Sequence, residues 1–180
     1  MKLVNDPNWT VDAALLDYIY QILPVGKTVL ELGSGYSTRR FCDHGYKVFT
    51  VESDPTWVNV VKEATYIHAP IQPWGRSNRP LKSVLKRCPE HTGWYDPKTL
   101  RKLLPKEYDL ILVDGPCRDY GRSGFFCHFD LFRHDVPIIF DDLHRPDDYY
   151  IARRCAEALE LDLTIKNNGP NKKPFGVILP

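Results

Sequence analysis

The stretch Thr28–Thr38, TVLELGSGYST, decides how the rest of the chain is read. Thr28–Leu32 has the apolar run of a short buried strand, and Gly33 and Gly35 break it into a turn. A helix is expected to open at Tyr36–Thr38 and to continue through Arg39–His44 to Gly45. Such a strand-turn-helix junction presents backbone N–H groups and the positive end of a helix to a polar or anionic ligand. Val48–Val51 is a second apolar strand, and it ends in Glu52. A carboxylate at that point is placed to accept both hydrogen bonds of a ribose diol. The bland alternative is an ordinary strand-turn-helix of any α/β protein. Agreement between turn and carboxylate at this separation favours a nucleoside-cofactor site.

The dinucleotide fingerprint G-x-G-x-x-G is incomplete here, because its third glycine falls on Thr38. The acidic residue before the turn, Glu31 in E-L-G-S-G, instead resembles motif I of class I S-adenosylmethionine-dependent methyltransferases, E/D-x-G-x-G-x-G, with Ser37 at the last glycine. That resemblance implies that Glu31 and the turn residues Gly33, Ser34, Gly35, Tyr36, Ser37 and Thr38 hold the amino acid part of S-adenosylmethionine. Glu52 and Ser53 would hold the ribose.

The chain has 180 residues and a net charge of +1. That length suits one domain, and the charge supplies no global attraction to nucleic acid or anionic membrane. Five cysteines without a C-x-x-C pair suggest reduced thiols in a cytoplasmic protein, with neither a disulfide frame nor a zinc cluster. The first residues lack an extended apolar segment, and no run is long enough to span a bilayer.

Outward from the glycine turn, apolar residues from Val11 to Leu23 recur at helical spacing, with Thr10 as a cap and Trp9 as a packing staple. Pro55–Ala64 is expected to be a helix that brings Trp57 near an adenine or into packing, and Thr65–Ala69 a third strand. Tyr108–Val113 and Val136–Phe140 are continuous apolar runs suited to central parallel strands. Gly121–Arg133 and Pro146–Leu159 read as helices. Leu161–Ile165 and Phe175–Leu179 close the chain as an antiparallel pair. The alternation predicts a Rossmann-like, doubly wound, mostly parallel sheet with an antiparallel last strand and helices on both faces.

Pro70–Lys106 breaks that rhythm and reads as a substrate-facing insertion into the single domain, at about 70–107. Its prolines, its aromatics Trp74, Trp94 and Tyr95, and nine basic residues against Glu90 and Asp96 set it apart. Helical pieces are expected near Leu81–Arg87 and Thr99–Leu104. A basic, aromatic surface suits an anionic sugar such as a uronate or sugar phosphate, or a nucleic acid; a solvated face that balances charge elsewhere is the plain alternative.

Acidic residues stand at the ends of the expected central strands: Glu52, Asp114 and the pair Asp141-Asp142. In sheets of this type ligands bind beyond the carboxyl ends of the strands. Converging carboxylates repel unless a cation or donors compensate, and oxygen ligands suit Mg²⁺ or Mn²⁺. Asp114 and Asp141 could instead cap following helices or bind the cofactor's amino group, which needs no metal.

Val113-Asp114 and Phe140-Asp141-Asp142 resemble the metal positions of catechol O-methyltransferase relatives, although Cys117 stands where those enzymes carry a lysine base. YDLILVDGPCRDYGRSGFF followed by PIIFDDLHRPDD is similar to sugar methyltransferases of the glucuronoxylan 4-O-methyltransferase type. Together these imply O-methylation of a small hydroxylated acceptor. Asp114, His144 and Arg118 are the catalytic candidates, Asp114, Asp141 and Asp142 the metal candidates, and Arg118, Arg122 and Trp74 the acceptor contacts. A nucleic-acid methyltransferase, a nicotinamide-dependent oxidoreductase and a non-catalytic binding module are the rival readings.

Overall fold

The computed structural model describes residues 11–75, 82–167 and 173–180; Trp9, Thr10 and part of the insertion lie outside them. Helix α1 (Ala13–Ile22) is capped by Asp12, whose carboxylate accepts the Ala14 N–H at 2.9 Å. Strand β1 (Thr28–Leu32), helix α2 (Tyr36–Asp43), strand β2 (Lys47–Glu52) and strand β3 (Thr65–His68) follow in the expected order.

The insertion contributes strand β4 (Ile71–Pro73), helix α3 (Lys82–Arg87), strand β5 (Gly93–Tyr95) and helix α4 (Pro97–Leu103). The chain then runs through strand β6 (Leu110–Val113), helix α5 (Ser123–Cys127), strand β7 (Ile138–Phe140), helix α6 (Pro146–Leu159), strand β8 (Leu163–Lys166) and strand β9 (Phe175–Ile178).

The main sheet has seven strands in the order β3-β2-β1-β6-β7-β9-β8. Pairing is parallel from β3 to β7, and β9 runs antiparallel to both β7 and β8. Alternate residues of each strand feed the two sheet faces. Leu110 and Leu112 of β6 join Leu15, Ile19 and Phe41 of α1 and α2 on one side. Ile111 and Val113 join Phe125, Ile151 and Cys155 of α5 and α6 on the other. Helices therefore cover both faces, and the central strands β6 and β7 are apolar throughout because neither side meets water.

Three local expectations change. Residues 55–64 form turns instead of a helix, and Asn59 has φ +63°, outside helical geometry. The helix expected over Gly121–Arg133 shortens to α5 followed by a 3-10 turn, Phe129–Leu131. The insertion contains a β4–β5 hairpin that its prolines concealed.

That hairpin belongs to the core. Trp94, Tyr95 and Leu100 are fully buried in the cluster that holds β6 and β7. Trp94 lies against Gly124, where an added Cβ would sit 2.1 Å from the indole ring. Asp96 caps α4 by accepting the Thr99 N–H at 3.0 Å, and Pro97 takes its first turn. Gly124→Ala should therefore destabilise the protein by about 1–3 kcal/mol through overpacking, read as a lower urea midpoint with an unchanged slope.

Candidate functional site

The glycine turn is set by contact as well as conformation. Gly33 has φ +92°, and an added Cβ there would lie 3.0 Å from the backbone of Gly115. The turn after β1 therefore touches the turn after β6, and a side chain at Gly33 would part them. Tyr95 closes the same junction from the hairpin, since a Cβ on Gly115 would meet its hydroxyl at 2.4 Å. In front of Gly35 the space is open, with nothing within 4 Å of a Cβ built there.

Glu31 and Glu52 brace this turn from behind and from the side. Glu31 is fully buried and accepts the hydroxyls of Ser37 and Thr38, each at 2.5 Å. Glu31, Ser37 and Thr38 thus turn their side chains inward. Thr38 Oγ1 also accepts the Gly35 N–H at 2.9 Å. Glu52 accepts Ser34 N–H and Oγ–H at 3.1 and 2.9 Å on one oxygen. Its other oxygen accepts the N–H groups of Ser53 and Asp54 at 2.6 and 2.8 Å. A ribose diol would share these oxygens with the Ser34 hydroxyl or displace it.

Asp114, Asp141 and Asp142 come together, with one oxygen from each within 4.8 Å of the others. Arg122, an expected acceptor contact, lines the adjoining cleft and is 4% exposed, buried among these acids. Its Nη2 donates to Asp142 Oδ2 at 2.9 Å and to Asp114 Oδ1 at 3.1 Å. Its Nη1 donates to the Asp141 carbonyl at 2.9 Å and lies 3.7 Å from Asp148. Arg145 reaches Asp142 at 2.8 Å, and Lys173 reaches its other oxygen at 3.3 Å.

Burial pulls the Arg122 pKa down, but the surrounding aspartates more than restore it, so the guanidinium stays charged. Burial raises Asp114 and Asp141, and each is raised further by a neighbouring aspartate. Burial would raise Asp142 too, but Arg122, Arg145 and Lys173 outweigh it and hold its carboxyl below the ordinary range.

A divalent metal fits this cluster poorly. Asp141 Oδ1 and Asp142 Oδ1 are buried without hydrogen bonds, which is the feature in its favour. Against it, three cations already face four carboxylates, and two of the three candidate ligands are bound to Arg122. Burial also disfavours the ionised forms of Asp114 and Asp141 that a metal ligand needs.

Beyond the acids opens a cleft of about 380 Å³, lined by Glu90, His91, Pro116, Arg118, Arg122, His144 and Asp147 among others. Arg118 and His144 are exposed in its wall. His144 Nδ1 is 3.9 Å from Asp142 Oδ1. Trp74 is not among the residues that line this cleft; it stacks on His128 and packs against the core. His91, Asp147 and Asp148 escaped the sequence reading, and Tyr95 entered it only as an aromatic of the insertion's surface. The H-R-P-D-D run after β7 was the available signal for the two aspartates. Only the hairpin's docking reveals the other two.

No protein-family model matches the chain, and no curated protein matches it. Solved structures do. The C-terminal domain of precorrin-6Y C5,15-methyltransferase from Rhodobacter capsulatus aligns with a TM-score of 0.60 at 10% identity, covering 96% of this chain and 90% of that one. The S-adenosylhomocysteine-bound Podospora anserina methyltransferase PaMTH1 aligns with a TM-score of 0.56 at 15% identity, covering 97% and 82%. MycE, a methyltransferase of mycinamycin biosynthesis in complex with Mg and S-adenosylhomocysteine, gives 0.51 at 12% identity, covering 91% and 44%.

Glu31 generates a measurable pH dependence. Burial pushes its pKa from 4.5 up to about 7. The folded state therefore binds more protons than the unfolded chain across that window. Stability from this group is present below pH 4.5 and is lost as pH rises through about 7, by on the order of 3 kcal/mol. Urea unfolding of the wild type should show this decline, and Glu31→Gln should flatten it.

The strand order, the antiparallel last strand and the structural neighbours agree: the chain has the class I S-adenosylmethionine-dependent methyltransferase fold.

Proposed function

We propose that the chain is an S-adenosylmethionine-dependent O-methyltransferase acting on a small hydroxylated acceptor, with an anionic sugar such as a uronate as the preferred class. The observation that carries this reading is the backbone contact between Gly33 and Gly115. A cofactor seated on the glycine turn beside Glu52 would have its reactive end next to Asp114, which is bonded to Arg122 of the cleft lining.

The sulfonium methyl is already activated, so the protein's part is alignment and removal of one proton. The acceptor oxygen attacks the methyl carbon, the carbon–sulfur bond breaks, and S-adenosylhomocysteine leaves. Asp114 takes the hydroxyl proton; a carboxyl that holds its proton tightly is a strong acceptor once ionised. Arg122 fixes Asp114 in place. Arg118 and His144 line the cleft where a substrate carboxylate or phosphate would be held. Arg118 makes no ion pair among the described residues, so its guanidinium is available.

No divalent cation enters this reading, because Arg122 supplies the compensating charge. MycE was solved with magnesium, and at 12% identity that likeness extends to the fold alone. The nucleic-acid reading loses its stacking platform, since Trp94 and Tyr95 are fully buried. The nicotinamide reading lacks the third glycine, where the Thr38 hydroxyl is bonded to Glu31.

Isothermal titration should detect binding of S-adenosylhomocysteine and none of NAD. Gly35→Ala, which meets no atom within 4 Å, should leave thermal melting unchanged and weaken that binding. Glu52→Ala should weaken it by roughly 1.5–3 kcal/mol, about ten- to a hundred-fold; unchanged affinity in both variants would move the nucleoside elsewhere. Methyl transfer should persist in excess EDTA, and its abolition with rescue by Mg²⁺ would restore the metal.

A further inference from the structure

His91 reaches the cleft from the insertion, on the segment between α3 and β5. Its imidazole lies flat against Gly121, where a Cβ would meet the ring at 2.0 Å, and Gly121 has φ +75°. The Ser123 N–H donates to His91 Nδ1 at 3.2 Å. A backbone amide can only donate, so Nδ1 is the bare nitrogen and Nε2 carries the hydrogen. Burial lowers the pKa of the ring, and a second proton on Nδ1 would face the Ser123 N–H. His91 is therefore a neutral donor of fixed tautomer, 92% buried by its 8% exposure.

Nε2 lies 3.6 Å from Asp147 Oδ2, beyond direct hydrogen-bond reach, and both residues line the cleft. A donor and an ionisable acceptor held slightly apart match a hydroxyl group, which accepts from one and donates to the other. Cys88 adds a third atom, because Cys88, His91 and Asp147 offer ligand atoms within 4.8 Å of one another. A metal there would need the Nε2 lone pair, which moves the proton to Nδ1 against the Ser123 N–H. It would also need a thiolate at Cys88, whose pKa burial pushes up to about 12. The geometry favours the hydroxyl.

We propose that His91 and Asp147 form a subsite for one hydroxyl of a sugar acceptor, distinct from the hydroxyl that faces Asp114. This rests on the reading of the cleft as the acceptor site. It gives the insertion a recognition role, because the donor comes from the inserted segment and the acceptor from α6.

The test uses the intact chain saturated with S-adenosylhomocysteine and follows the His91 ring nitrogens by NMR, with D-glucuronic acid and D-glucose as probes. The expected spectrum has a bare Nδ1 and a protonated Nε2. Millimolar glucuronate should shift the Nε2–H signal saturably. Asp147→Ala should weaken that sugar binding roughly ten-fold, the worth of one hydrogen bond to a charged group. His91→Asn keeps an oxygen for the Ser123 N–H and removes the Nε2 donor. It should weaken sugar binding similarly, while melting temperature and S-adenosylhomocysteine affinity stay unchanged. A proton on Nδ1, no shift with either sugar, or stoichiometric Zn²⁺ binding at His91 would each overturn the subsite. Cofactor binding without any sugar effect sinks the subsite alone; a saturable sugar effect without cofactor binding sinks the methyltransferase reading and leaves the subsite standing.

Discussion

The buried guanidinium of Arg122 is the interaction on which the site's architecture turns. Asp114 and Asp141 stand at the ends of adjacent parallel strands, Asp142 follows, and Asp148 comes from the first turn of α6. Uncompensated, four such carboxylates in one interior would drive each other to protonate or force the loops apart. Arg122 pairs with the carboxylates of Asp114, Asp142 and Asp148 and also takes the Val113, Asp114 and Asp141 carbonyls. One planar group with several donors satisfies backbone and side chains together, which a lysine could not do. Removing either side of such a cluster leaves buried charge unpaired, so the loops after β6 and β7 are held jointly.

The insertion is tied to the same loops. Thr92 donates its N–H to the Tyr120 carbonyl and its hydroxyl to the Asp119 carbonyl, at 3.1 Å each. His91 and Trp94 cover Gly121 and Gly124, and the Tyr95 hydroxyl reaches the Gly33–Gly115 junction. Glycines at these contacts remove the methyl groups that would block the approach. A segment that composition marks as a substrate-facing insertion thus supplies a wall of the core as well as one side of the cleft, and a contact to the turn beside Glu52. Its basic residues among the described ones remain outside while Trp94 and Tyr95 go inside.

Much of the fold was legible because parallel strands buried on both faces must be apolar throughout, and this chain shows such runs at β1, β2, β6 and β7. The Thr28–Thr38 turn and the acidic strand ends followed from the same pattern. Elements without a strong period were lost: the turns at 55–64, the short α5, and the β4–β5 hairpin. The candidate site was half legible. Asp114, Asp141 and Asp142 converge as expected, yet nothing in one dimension could say that the compensating cation is Arg122.

Sequence by itself determined the sheet, its cofactor-type turn and the position of the acidic groups, because these are local consequences of hydrophobic period and glycine placement. Tertiary structure alone decided which charges meet, which way Glu31 and Arg122 face, and that His91 reaches Asp147. Those outcomes depend on contacts between segments distant in the chain, where packing and desolvation select partners that no local pattern encodes.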